Sequence, residues 1–92
     1  MRNIIWQEEI TLYEDTTRKS PHKVRPLHTL ALSYEKAKRL NDAIVVFDKI
    51  LYLDPYYVIA HVHLAYIFKQ MNKLKNTIYH LESAINIKPS DE

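Results

Sequence analysis

The sequence contains neither cysteine nor glycine. Without cysteine there is no disulfide framework, no thiolate metal site and no cysteine nucleophile, and the redox compartment is left open. Without glycine the backbone lacks its usual route to positive φ and to close approach of a phosphate. That argues against phosphate-cradling loops, hairpin turns and dinucleotide-binding folds. An excess of one charge is also missing: 13 basic residues against 11 acidic ones leave a formal charge of +2, too little by itself to imply a polyanionic partner. No apolar run approaches the ~18 residues needed to span a bilayer, and the N-terminus lacks a signal-peptide pattern. Membrane insertion of this segment is therefore not expected. At 92 residues the chain has the size of one modest domain, which buries roughly 60–65% of its unfolded surface and keeps a thin margin of stability.

What the chain does contain is a repeat. From Ala43 to Pro55, the apolar residues Ala43, Phe47, Ile50 and Leu51 fall on one stripe of an amphipathic helix, which Pro55 ends. Such a helix buries one face and needs a partner. Shifting the sequence on itself by 34 residues brings Pro21, Pro55 and Pro89 into register. It also aligns Trp6 with Leu40 and Leu74, Ile10 with Ile44 and Ile78, and Tyr13 with Phe47 and Leu81. In the other half of the unit, Leu30 matches Leu64, Ala31 matches Ala65, and Tyr34 matches Phe68.

A unit of this length, with two helical patterns and a closing Asp-Pro, resembles the tetratricopeptide repeat. The first helix of that family's unit takes a bulky residue, a leucine, a small residue and an aromatic; here they are Leu27, Leu30, Ala31 and Tyr34. The second takes alanine, an aromatic, a small residue and proline, here Ala43, Phe47, Ile50 and Pro55. The next unit supplies His61, Leu64, Ala65 and Phe68, then Thr77, Leu81, Ala84 and Pro89. Ile50, His61 and Thr77 depart from the pattern but are tolerable in size. The resemblance implies an all-α, right-handed superhelical stack within one domain over 1–92. Residues 3–21 would be a half repeat or packing helix, and 24–57 and 58–91 two repeats.

Five helices are expected near 4–19, 24–37, 41–53, 58–71 and 75–88, with a core of Trp6, Ile10, Tyr13, Leu30, Tyr34, Leu40, Ala43, Phe47, Leu64, Phe68, Leu74 and Leu81. Pro26 sits in a first turn, where its missing N–H is harmless. Asn41 and Asp42 are N-cap candidates. Lys38 falls where a left-handed cap usually takes glycine, and Asn72 suits the equivalent place. The tail from Ser90 to Glu92 is expected to fray. The segment Arg2-Asn3, Trp6, Glu9-Ile10, Leu12 to Asp15, Lys19 to Pro21 and Arg25-Pro26 also looks like a junction found in certain bacterial multi-spanning membrane proteins, where a glycosyltransferase-like membrane region passes into a repeat tail. A free-standing repeat protein with an N-terminal packing helix is the other reading.

Catalytic chemistry finds little support. His61 and His63 are two residues apart on a helix, so they point to different faces and cannot chelate one ion together. His28 and His63 can approach across neighbouring helices, but partly buried or surface histidines are the expectation, with no metal and no cofactor. Ser33 and Ser83 sit mid-helix with no nucleophile elbow. Glu8, Glu9, Glu14 and Asp15 are expected on exposed faces. Lys36, Lys38 and Arg39 recur as Lys69, Lys73 and Lys75 about one repeat later, forming a basic edge. RNA-binding repeats need a regular set of base-reading side chains, which is not evident, so this edge reads as solubilising.

The expected partner is a protein or peptide segment, not a small-molecule substrate or nucleic acid. In the resembled family the first helix of each unit lines the concave face. The positions that face inward without being core are Arg25, His28, Thr29, Leu32 and Lys36 on one helix. On the other they are Ile59, Val62, His63, Tyr66, Lys69 and Gln70. Family members that grip a peptide carboxylate use lysine and asparagine at paired positions here; His28, Leu32 and His63 stand in their place, so that activity is not carried over. Leu32, Val62 and Tyr66 suit apolar anchors, and Lys36 and Lys69 suit acidic flanks. Ile78 and Ile85 lie where a following helix would pack. Self-association through such ends, or a longer native chain, is expected. The compartment is not legible.

Overall fold

In the computed structural model, which describes residues 4–87 (side chains from Gln7), five helices follow one another: α1 Ile4–Lys19, α2 Val24–Lys36, α3 Leu40–Leu53, α4 Val58–Gln70 and α5 Leu74–Ile87. Each packs on the next: α1 on α2, α2 on α3, α3 on α4 and α4 on α5. Among the described residues there is no strand, and no helix is long and apolar enough to cross a membrane.

The connections explain how a chain without glycine turns so sharply. Lys38 and Asn72 take left-handed backbone, with φ of 64° and 61°. Behind each, two hydrogen bonds close the helix end. Arg39 N donates to Tyr34 O at 2.8 Å and Lys38 N to Glu35 O at 3.0 Å; Lys73 N donates to Phe68 O at 2.9 Å and Asn72 N to Lys69 O at 3.0 Å. These are two copies of the same Schellman closure. Asparagine visits this region readily, whereas lysine is penalised by its Cβ. Between α3 and α4, Asp54 Oδ1 accepts from Tyr56 N at 3.2 Å, a local turn built around Pro55.

Phe47, Leu27, Ile50, Leu64 and Ile67 are the large side chains sealed from solvent. Ile10, Leu30, Ala31, Tyr34, Ala43 and Phe68 join them, while Tyr13 and Leu40 are half-buried against that cluster. Two expected core residues are not core: Leu74 and Leu81 are exposed. Their counterparts on α3 are covered because α4 packs on that helix; among the described residues no helix packs on the corresponding side of α5. Trp6 falls among the side chains outside the described set, as do Pro89 and the tail.

Three further expectations need correction. Asn41 and Asp42 do not cap α3; they lie inside it, and the cap residue is Arg39, whose Nε donates to Asp42 Oδ2 at 2.9 Å. Glu9 and Glu14 are not on a solvated face. Ser33 donates to Glu9 Oε1 at 2.7 Å, and the Tyr34 hydroxyl donates to Glu14, so both half-buried carboxylates bridge α1 to α2. Burial, then the hydrogen bond to Glu14, pushes the Tyr34 phenol well above its ordinary value. Finally, His61, expected to be partly buried or at the surface, is more fully buried than that, and it meets a second buried histidine, His80.

Candidate functional site

Helices α2 and α4 lie side by side on one face of the stack, and a cavity of about 280 Å³ opens between them. Leu32, Glu35 and Lys36 line it from α2, Lys38 from the turn after α2, and His63, Tyr66 and Gln70 from α4. Tyr66 and Val62 are exposed at 58% and 46%.

The floor of this groove is a row of rings and hydrogen bonds. His63 stacks on Phe47 of the core, with ring centroids 5.3 Å apart and planes 11° apart. Its Nδ1 donates to Glu35 Oε1 at 3.0 Å. His28 sits edge-on to His63 at 6.4 Å, and its Nδ1 lies 2.8 Å from the Tyr57 hydroxyl. Burial, then the neighbouring His63, holds the His28 imidazole below its ordinary value, so it tends to remain neutral near pH 7. The Glu35–His63 and His28–Tyr57 contacts thus tie α2 to α4, the first in the cavity wall itself.

Of the eleven residues expected to face inward, Leu32, Lys36, His63, Tyr66 and Gln70 meet at this cavity. His28 does not line it but sits edge-on to His63, which does. Arg25, Thr29, Ile59, Val62 and Lys69 do not line it; Arg25, Ile59, Val62 and Lys69 are exposed, and Thr29 returns its hydroxyl to Arg25 O at 3.3 Å. Glu35 and Lys38 complete the wall and were missed. Glu35 follows His28 and Leu32 at i, i+4, i+7 spacing, a signal the sequence does carry. Lys38 enters because left-handed backbone lifts it beside the cavity.

A second cavity, of about 450 Å³, is lined by Leu51 of α3, Pro55, His61 of α4, and Tyr79, Ser83, Asn86 and Ile87 of α5. Behind it His61 Nδ1 and His80 Nδ1 are 3.0 Å apart, and His80 stacks on Phe68 with centroids 5.6 Å apart. One of the two nitrogens must carry a proton and the other a lone pair. Burial, then His61, holds the His80 imidazole below its ordinary value. Among the described residues no three His, Cys, Asp or Glu side chains come together as metal ligands.

Residues 24–57 match the family model of the tetratricopeptide repeat. That stretch carries a tetratricopeptide repeat. Its helices superpose on solved structures of MamA, another protein of this repeat class. MamA MSR-1 gives a TM-score of 0.85 at 21% identity, over 89% of this chain and 47% of that one. MamA AMB-1 gives 0.87 at 18%, over 95% and 48%. MamA 41-end from Desulfovibrio magneticus RS-1 gives 0.85 at 21%, over 89% and 46%. At such identity the likeness establishes the fold, a right-handed superhelical stack of tetratricopeptide helices. The present chain spans about half the length of these structures. No curated protein matches the sequence.

Proposed function

We propose that this tetratricopeptide-repeat chain is an interaction scaffold whose concave face, between α2 and α4, binds a segment of another protein. It is read as one domain over 1–92, with a half repeat at 3–21 and repeats at 24–57 and 58–91. The observation that carries the proposal is the cavity itself. An apolar pair, Leu32 and Tyr66, faces it beside the polar ends of Gln70, Lys36 and Lys38, and the rings beneath hold it in shape before any ligand arrives. A preformed apolar slot with a few polar groups at its edge suits one bulky side chain of a peptide, its backbone reaching Gln70. Lysines at the rim favour acidic residues flanking that anchor. The groove's groups offer hydrogen bonds and contact area, which is binding chemistry, and the matched repeat is that of a protein-interaction scaffold.

The test starts from phage-displayed random peptides panned against the 92-residue chain. Selected sequences are expected to share a bulky apolar anchor with Asp or Glu nearby. The double variant Leu32→Ser, Tyr66→Ala removes the anchor site while leaving every sealed core residue intact, and should weaken the selected peptides at least ~10-fold. Parental affinity in a variant whose circular dichroism is unchanged would remove the groove as the site.

A further inference from the structure

Helix α5 carries an apolar row that its own fold does not use. Leu74, Ile78, Leu81 and Ile85 are exposed at 65%, 54%, 45% and 72%. Their spacing of four, three and four residues is the heptad spacing of a coiled-coil seam, with leucine at Leu74 and Leu81 and isoleucine at Ile78 and Ile85. The internal repeat says what such a row is for. The register counterparts on α3 are Leu40, Ile44, Phe47 and Leu51, all half-buried or fully buried in a stack where α4 packs on α3. The row on α5 is a helix-packing face with no helix on it among the described residues.

The polar flanks choose the occupant. On one side of the row lie Thr77 and Ala84, buried against the rest of the fold. On the other lie Lys75 and Glu82, both exposed and one heptad apart. Two parallel copies of α5 would set each charged flank against the Thr77 and Ala84 flank of the other, leaving no charge to pair. Two antiparallel copies set charged flank against charged flank. With Ile78 opposite Leu81 and Leu74 opposite Ile85, Lys75 of each copy then falls beside Glu82 of the other, twice by symmetry.

We propose that two copies of this chain associate through α5, antiparallel about a twofold axis, with Leu74, Ile78, Leu81 and Ile85 as the seam and reciprocal Lys75–Glu82 contacts along its open edge. The contact is isologous, so it closes at two copies and does not propagate. Helix α5 contributes nothing to the α2–α4 cavity, so dimerisation would present two binding faces in one particle, and the proposal stands or falls separately from the groove.

Sedimentation equilibrium on the 92-residue chain tests it. A seam of two heptads buries less than a standard interface, so a dimer with a dissociation constant of about 10–100 µM is expected. Ile78→Glu with Ile85→Glu should leave a monomer of parental helicity, because both side chains are already in water. Lys75→Glu turns both edge contacts repulsive and should weaken the dimer roughly 10-fold; adding Glu82→Lys reverses both signs and should restore affinity to within about 2-fold. A parent chain monomeric at several hundred micromolar would overturn the proposal and assign the row to a different helix, whether of a longer chain or of another protein. A dimer that survives the double glutamate variant, or one whose charge swap fails to restore what Lys75→Glu lost, would overturn it as well.

Discussion

Phe47 and Leu81 hold the same position in successive repeat units, yet their truncation should have very different consequences. Phe47 is fully sealed between α2 and α4 and stacks on His63. Removing its ring deletes the transfer energy of a phenyl group and leaves a cavity that a close-packed interior only partly refills, about 3–5 kcal/mol in all. A chain of 92 residues has roughly 5–14 kcal/mol of total stability, so Phe47→Ala should remove about a fifth or more of it. Leu81 is 45% exposed, and Leu81→Ala in the monomer should cost under about 1 kcal/mol. Urea titration at low micromolar protein, followed by the helical ellipticity, measures both. With a slope of about 1 kcal/mol per molar urea, Phe47→Ala should shift the midpoint by ~3 M or leave no folded baseline, and Leu81→Ala by under ~1 M. Equal shifts for the two variants would refute the packing described for α3 and α5.

The remaining predictions are independent of that one. Lys38→Gly relieves a Cβ clash at φ 64° and should raise stability by about 0.5–1 kcal/mol in the same titration; a loss would mean the lysine side chain contributes more than its backbone strain costs. His28 and His80 are both held below the ordinary imidazole value, first by burial, so the unfolded chain binds more protons than the fold. Stability should be full above about pH 6.5 and should fall as pH drops below it. His80→Phe should flatten part of that decline, as read from the urea midpoint between pH 7.5 and 5.5. Asp48, raised by burial, acts in the opposite direction: its protonation favours the fold, but only as pH falls toward the ordinary carboxylate value of about 4.

Much of the architecture was legible because its signals are local. Proline at a 34-residue interval and apolar residues at helical spacing give the helices to within a residue at most ends, and Lys38 and Asn72 sit in the left-handed turns that their place after a helix suggested. What was not legible depends on neighbours far along the chain. Leu74 and Leu81 read as core because Leu40 and Phe47 are; exposure on α5 is decided by what packs there, which no periodicity within the helix reports. Glu9 and Glu14 look like solvated carboxylates until α2 brings Ser33 and Tyr34 against them. The His61–His80 contact needs both helix rotations at once. The cavity followed the same rule: Leu32, His63 and Tyr66 came from the stripe along each helix, whereas Glu35 is fixed there by His63 across the groove, and Lys38 by a turn geometry that helical spacing does not describe.

The central claim is that the α2–α4 face is where a partner binds, and amide chemical-shift mapping tests it most directly. A peptide selected by panning is titrated into the isotopically labelled 92-residue chain. The account predicts that the largest shifts cluster at Leu32, Glu35, Lys36, His63, Tyr66 and Gln70, the walls of the cavity. Shifts concentrated instead at Leu51, Tyr79, Ser83 and Asn86, around the outer cavity, with the groove amides unmoved, would contradict it.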